Sequence, residues 1–122
     1  ATGRMHYSGA LRSIIIIRDQ NIIEMRANRY PLGFYKDVNK VFQEQVIILQ
    51  PSDHIYLFSD GYSDQFGGEE NRKFNSRQFK ELLRTLAGMS VQEQESFLDY
   101  ALNNWKQDQE QTDDVMVIGI KI

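Results

Sequence analysis

Four isoleucines in a row, Ile14 to Ile17, constrain this chain more than any other stretch of its 122 residues. β-Branched side chains favour an extended backbone, and successive residues of a strand point to opposite faces of the sheet. A strand with isoleucine at every position therefore needs apolar cover on both sides. The terminal run VMVIGI, Val115 to Ile120, is apolar at consecutive positions in the same way and makes the same demand. Layers follow: a sheet covered on one side by a second sheet and on the other by helices, which when complete reads helix, sheet, sheet, helix.

The remaining segments supply those layers. LRSIIIIRD and NIIEMRA are β-rich, are separated around Asp19, Gln20 and Asn21, and read as a hairpin. Tyr30-Pro31-Leu32-Gly33 breaks the pattern. EQVIILQ and HIYLFSD read as two short strands joined by a turn at Pro51-Ser52-Asp53. From Ser76 the period changes, with Phe79, Leu82, Leu83 and Leu86 at helical spacing, a cap at Asn75 or Ser76, and a stop at Gly88. Ser90-Val91-Gln92-Glu93 matches a capping box, and the helix it opens runs to about Lys106 with Phe97, Leu98, Ala101, Leu102 and Trp105 on one face. The expected class is α+β, an antiparallel β-sandwich with flanking helices, in which residues 1–122 form a single domain.

Composition narrows the function classes. With 41% hydrophobic and 25% charged residues the chain can bury a modest core, and a net charge of −3 with no basic block argues against a nucleic-acid surface. There is no cysteine, so neither a disulfide framework nor a thiolate metal site is available. No apolar run approaches the roughly 20 residues of a membrane span. The expected location is cytoplasmic, with a parent protein that membrane anchoring elsewhere does not contradict. The opening ATGRMHYSGA, without an initiator Met, reads as a piece of a longer protein.

Two acidic sites stand out. The strand ending in IYLFS delivers Asp60 at its C-terminal end, and Asp113 and Asp114 immediately precede VMVIGI. If those strands are antiparallel neighbours, facing positions lie about 5 Å apart and the acids share a rim. Crowded carboxylates require protons or a cation, and oxygen donors select hard ions such as Mg²⁺ or Mn²⁺. Gly61 would let the backbone turn and approach such an ion. Asp64, Gly67 and Gly68, with Glu69, belong to a loop beside the rim that reads either as a flap over it or as a solvated connection. Alternatives stay open at this level: Asp60-Gly61 also suits a hairpin turn, and Thr112-Asp113-Asp114 a solvated loop. His6 and His54 lack any metal-binding spacing and read as strand-edge and turn residues, and Trp105 reads as helix packing.

The ordered series Tyr7-Ser8-Gly9-Ala10, Tyr30-Pro31-Leu32-Gly33, Ser59-Asp60-Gly61-Tyr62-Ser63-Asp64-Gln65-Phe66-Gly67-Gly68 and Thr112-Asp113-Asp114-Val115 resembles the C-terminal half of the bacterial metal-dependent serine phosphatases of the sporulation stage II protein E type, relatives of protein phosphatase 2C. The resemblance runs through essentially the whole chain. It implies a β-sandwich flanked by helices with a binuclear Mn²⁺ or Mg²⁺ centre at one end. By its pattern Asp60 and Asp113 are metal ligands, Asp114 supports them and Gly61 contributes backbone. No side chain is catalytic beyond the water that the metal activates to attack phosphorus.

The resemblance also marks a departure, because the upstream aspartates that bridge the two ions in such enzymes have no counterpart in residues 1 to 55. Half a ligand set should hold hard cations weakly, so the chain alone is expected to be inactive and to self-associate through bared apolar faces. The implied partners are a phosphorylated protein substrate, such as the antagonist of an anti-sigma factor, and an upstream sensory module. The alternative is a degenerate phosphatase-like module that binds a phosphoprotein or transmits a signal without hydrolysis. Retention of both Asp60 and Asp113 favours the enzyme.

Overall fold

The computed structural model describes residues 3–33 and 41–122. Ile14 to Ile17 form the inner strand that their pattern demands. In β2 (Ile14–Arg18) all four isoleucines are buried. Ile15 and Ile17 meet Phe79, Leu83, Leu86 and Leu102 from two helices. Ile14 and Ile16 join Met25 and Ile55 in a second cluster, packed against Met5, Tyr7, Ile47 and Leu49. One strand thus belongs to two cores, and the alternation of its side chains separates them.

The main sheet has the order β3 (Asn21–Met25), β2, β5 (His54–Phe58), β8 (Val117–Lys121), antiparallel throughout. The second sheet is the pair β1 (Arg4–Tyr7) and β4 (Gln45–Ile48), antiparallel from Arg4 opposite Ile48 to Tyr7 opposite Gln45. The helices α2 (Ser76–Leu86) and α3 (Val91–Lys106) cover the other face of the main sheet. Among the described residues the architecture is therefore helix, sheet, sheet, with helices on one side only. Between β5 and α2 lie a four-residue helix, α1 (Gly61–Asp64), and a two-stranded ribbon of β6 (Phe66–Gly67) and β7 (Arg72–Lys73).

The β2–β3 hairpin forms as expected with a two-residue turn. Asp19 (φ 47°) and Gln20 (φ 66°) both adopt the left-handed region, the twist that suits a tight hairpin, and Asn21 pairs with Arg18 rather than lying in the turn. EQVIILQ and HIYLFSD are both strands joined by a turn, but β4 and β5 pair in different sheets. Asp53, 1% exposed, fastens the crossover. Its carboxylate receives Arg18 Nε at 2.9 Å, Arg18 Nη2 at 2.7 Å and the Gln50 amide at 2.9 Å, while Arg18 also donates to the Ile48 carbonyl.

The terminal strand departs from expectation. VMVIGI was expected to be covered on both faces, yet β8 lies at the edge of the main sheet and Ile118 and Ile120 are about half exposed. Their register partners are Leu57 and Ile55, so they face the second sheet's side. That two-stranded sheet covers Ile55 but leaves Leu57 and the β8 isoleucines bare.

Both long helices start where the sequence places them. Asn75 caps α2 by accepting the Gln78 amide at 2.9 Å, and α2 ends at Leu86 with Gly88 just beyond. At α3 the Glu93 amide donates to Ser90 Oγ at 3.2 Å and the Ser90 amide to Glu93 Oε2 at 2.8 Å, a complete capping box. Replacing Ser90 with alanine is expected to lower stability by about 1 kcal/mol, read as a shift in the urea midpoint at unchanged slope.

Candidate functional site

β5 and β8 are antiparallel neighbours, with Phe58 opposite Val117. The pairing continues past the strand ends, because the Ser59 amide donates to the Met116 carbonyl at 3.0 Å. Ser59 Oγ then bridges the two segments, donating to the Asp114 carbonyl at 2.8 Å and accepting from the Met116 amide at 3.0 Å. The exit of β5 and the approach to β8 are thus stitched together where Asp60 and Asp113-Asp114 lie.

Gly61 makes that closeness possible. It is buried, and a Cβ at this position would overlap the Asp114 carbonyl. Its role is close approach of two backbones rather than an unusual dihedral. The chain then turns into α1, not into a hairpin. Asp60 stands at the N-cap position of α1, but its side chain makes no capping hydrogen bond. The carboxylate instead points to the rim, where Arg12 Nη1 approaches Asp60 Oδ2 at 2.8 Å.

Asp113 and Asp114 are exposed. Asp113 Oδ1 accepts the Asp114 amide at 2.7 Å, and the Asp113 carbonyl accepts from Gln111 Nε2. Asp114 contributes its backbone to the Ser59 and Gly61 contacts. The segments bearing Asp60, Gly61, Asp113 and Asp114 therefore share one end of the sheet. Among the described residues no three Asp, Glu, His or Cys side chains are gathered closely enough to cage a metal ion. The donors fit a hard divalent ion in kind, being oxygen only, and provide part of a coordination shell rather than all of it.

The loop that reads either as a flap or as a solvated connection is fastened to α3. Asp64 is the last residue of α1 and pairs with Lys73 at 3.4 Å. Gly67 lies under the Trp105 carbonyl, where a Cβ would collide, and Gly68 (φ 70°) lies against the indole ring and donates its amide to the same carbonyl at 2.9 Å. Trp105 Nε1 in turn donates to the Gln65 carbonyl at 2.9 Å. These two glycines fit the backbone around a tryptophan, a reason invisible without the fold.

No local sequence pattern marks Arg12 or the bridging role of Ser59. Arg12 reaches the rim from a constrained loop. The Leu11 amide donates to Asn28 O, the Asn28 amide to Gly9 O and the Arg12 amide to Ala10 O, each at 2.8 Å. Leu11 (φ 62°) is left-handed, and the Tyr7 hydroxyl donates to the Arg12 carbonyl. Gly9 is buried, and a Cβ there would overlap the Tyr7 hydroxyl and crowd Ala27, so only glycine fits.

Neither histidine lies at this rim. His54 opens β5 as a buried residue, and burial pushes its pKa down, favouring the neutral ring. With Nδ1 3.1 Å from the Ser52 carbonyl, Nε2 is left buried without a hydrogen-bond partner among the described residues. It borders a cavity of about 720 Å³ between α3 and the β5–β8 edge, lined also by Tyr56, Gln94, Asp99 and Gly119. Tyr56 donates to Gln94 Oε1 there at 2.9 Å, and burial raises its pKa to about 12.

The family model of the stage II sporulation protein E matches residues 1–122. Among solved structures, the chain is similar to the SiaA-PP2C domain of Pseudomonas aeruginosa, with a TM-score of 0.91 and 25% identity over 99% of this chain and 47% of that one. It also resembles the PP2C phosphatase domain, with a fragment of the regulatory domain, of the cell fate determinant SpoIIE from Bacillus subtilis (TM-score 0.73, 15% identity, 99% of this chain and 34% of that one). The phosphatase domain of that same determinant, presoaked with Mn, superposes with a TM-score of 0.59 at 18% identity, covering 98% of this chain and 49% of that one. The chain thus spans half or less of these relatives' length. No curated protein sequence matches it.

Proposed function

The chain belongs to the stage II sporulation protein E family, and on that premise we propose that it is the C-terminal part of a metal-dependent protein phosphatase domain acting on phosphoserine or phosphothreonine. The single observation that supports this reading is the stitching of the β5 exit to the β8 approach through Ser59 and Gly61, which joins the segments bearing Asp60 and Asp113 at one end of the sheet. Both segments offer carboxylate oxygens at that end, the donor type that suits a hard divalent ion. The Mn presoak of one structural neighbour is consistent with this metal reading for that protein.

Asp60 and Asp113 would hold Mn²⁺ or Mg²⁺ through carboxylate oxygens, and Asp114 would fix the loop through its backbone. Such ions would supply Lewis acidity toward water and phosphoryl oxygens. The chain's own residues orient the donors: Ser59 locks the rim, Gly61 allows the approach, and Asp60 is left free of capping duty. The remaining ligands would come from the part of the domain that lies outside these residues. The phosphorylated protein substrate and the signalling role, with an upstream sensory module, are part of the same proposal.

The test is hydrolysis of a phosphoserine peptide by the full-length protein with added Mn²⁺. Turnover that disappears with a chelator and returns with Mn²⁺ is expected, while residues 1–122 alone give none. Turnover unaffected by the chelator would overturn the metal reading. Tight binding of the phosphopeptide without turnover would favour a module that recognises phosphoproteins instead.

A further inference from the structure

Asp60 already has a cation beside it. Arg12 Nη1 lies 2.8 Å from Asp60 Oδ2, and a guanidinium keeps its charge at any working pH. We propose that Arg12 is a tethered counter-cation that holds Asp60 until a divalent ion takes the carboxylate, and that the freed guanidinium then binds an oxyanion of the phosphorylated substrate. This rests on the metal reading of the rim given above.

Three observations carry it. First, the pair is a single contact between half-exposed side chains, 54% for Arg12 and 43% for Asp60, so water can replace either partner. Exposed pairs of this kind add little to folding, and exchange is easy. The buried pair of Arg18 and Asp53, with its two-pronged geometry, shows what a structural arginine looks like in the same chain. Second, the backbone of Arg12 is pinned by three amide hydrogen bonds across the Gly9–Asn28 loop and by the Tyr7 hydroxyl, so release moves the side chain and not the loop. A freed guanidinium stays at the rim. Third, the rim otherwise holds Asp113 and Asp114, both exposed and both negative. A planar guanidinium with several donors is suited to phosphoryl oxygens, which those acids would repel.

The two halves of the proposal predict effects of opposite sign. In the full-length protein, Arg12→Gln is expected to tighten Mn²⁺ binding about threefold by calorimetric titration, since Asp60 loses its competitor. The same variant, saturated with Mn²⁺, is expected to bind inorganic phosphate about tenfold more weakly. Arg12→Lys keeps the charge and is expected to restore Mn²⁺ affinity to near the wild-type value while recovering part of the phosphate affinity. A merely structural role would weaken both ligands together, and that result would overturn the proposal. So would Mn²⁺ affinity unchanged in Arg12→Gln while Asp60→Asn abolishes binding, an outcome that leaves the metal reading standing. Mn²⁺ affinity insensitive to Asp60→Asn would remove the metal reading itself and this inference with it.

Discussion

In the full-length protein, Asp60→Ala is expected to lower Mn²⁺-dependent kcat/KM on p-nitrophenyl phosphate by at least about 100-fold, equivalent to about 2.7 kcal/mol of transition-state stabilisation. Asp113→Ala should fall by a similar factor. Because the two carboxylates would serve one cluster, the double variant should be little worse than either single one. Asp114→Ala should lose no more than about tenfold, since the groups that Ser59 and Gly61 touch belong to its backbone. Thermal melting of the three single variants should stay close to wild type, because these side chains are exposed or half-exposed and the Arg12 pair contributes little to folding. Full activity in Asp60→Ala would defeat the assignment of this rim.

The largest stability effect is expected at the crossover between the sheets. Asp53→Ala removes a buried carboxylate that accepts from Arg18 through both oxygens and from the Gln50 amide, and it strands a mostly buried guanidinium. Breaking such a pair costs about 3 to 5 kcal/mol, and the partial exposure of Arg18 places the expectation at about 3. Urea unfolding would measure it. The hydrogen bond from Arg18, more than any other influence, holds the Asp53 pKa below its ordinary value. A carboxylate whose folded pKa is depressed contributes stability that is fully present above its unfolded pKa, near pH 4, and is lost as pH falls through the folded value. The wild-type urea midpoint should therefore fall as pH drops below about 4. The variant should fall less over the same range, and identical acid slopes for the two proteins would contradict this account.

What could be read from the sequence was what local chemistry determines. The Ser90–Glu93 box, the Asn75 cap and the β2–β3 hairpin depend on residues a few positions apart, and the isoleucine run carries its two-sided burial in its own pattern. β1 is only four residues of mixed exposure, and its partner β4 lies some forty residues away, so nothing local marks the pair. The strands of the β6–β7 ribbon are too short to show any period, and α1 is a single turn. At the site, the acids were visible because strand polarity alone brings the end of one strand beside the start of another. Arg12 was not visible, since its place depends on a loop closed by Asn28. The exposure of Ile118 and Ile120 departs from their apolar pattern for a related reason: a strand's composition states its need for cover, while its position in the sheet decides whether the cover is there.

The contact of Gly61 with the Asp114 carbonyl has a mechanical consequence. With no side chain between them, the two strand ends behave like the jaws of a calliper closed to its limit, and close-packed backbones transmit a push instead of absorbing it. A methyl group added at residue 61 would act as a wedge, forcing the Asp114 carbonyl outward and parting the two segments that carry the acids.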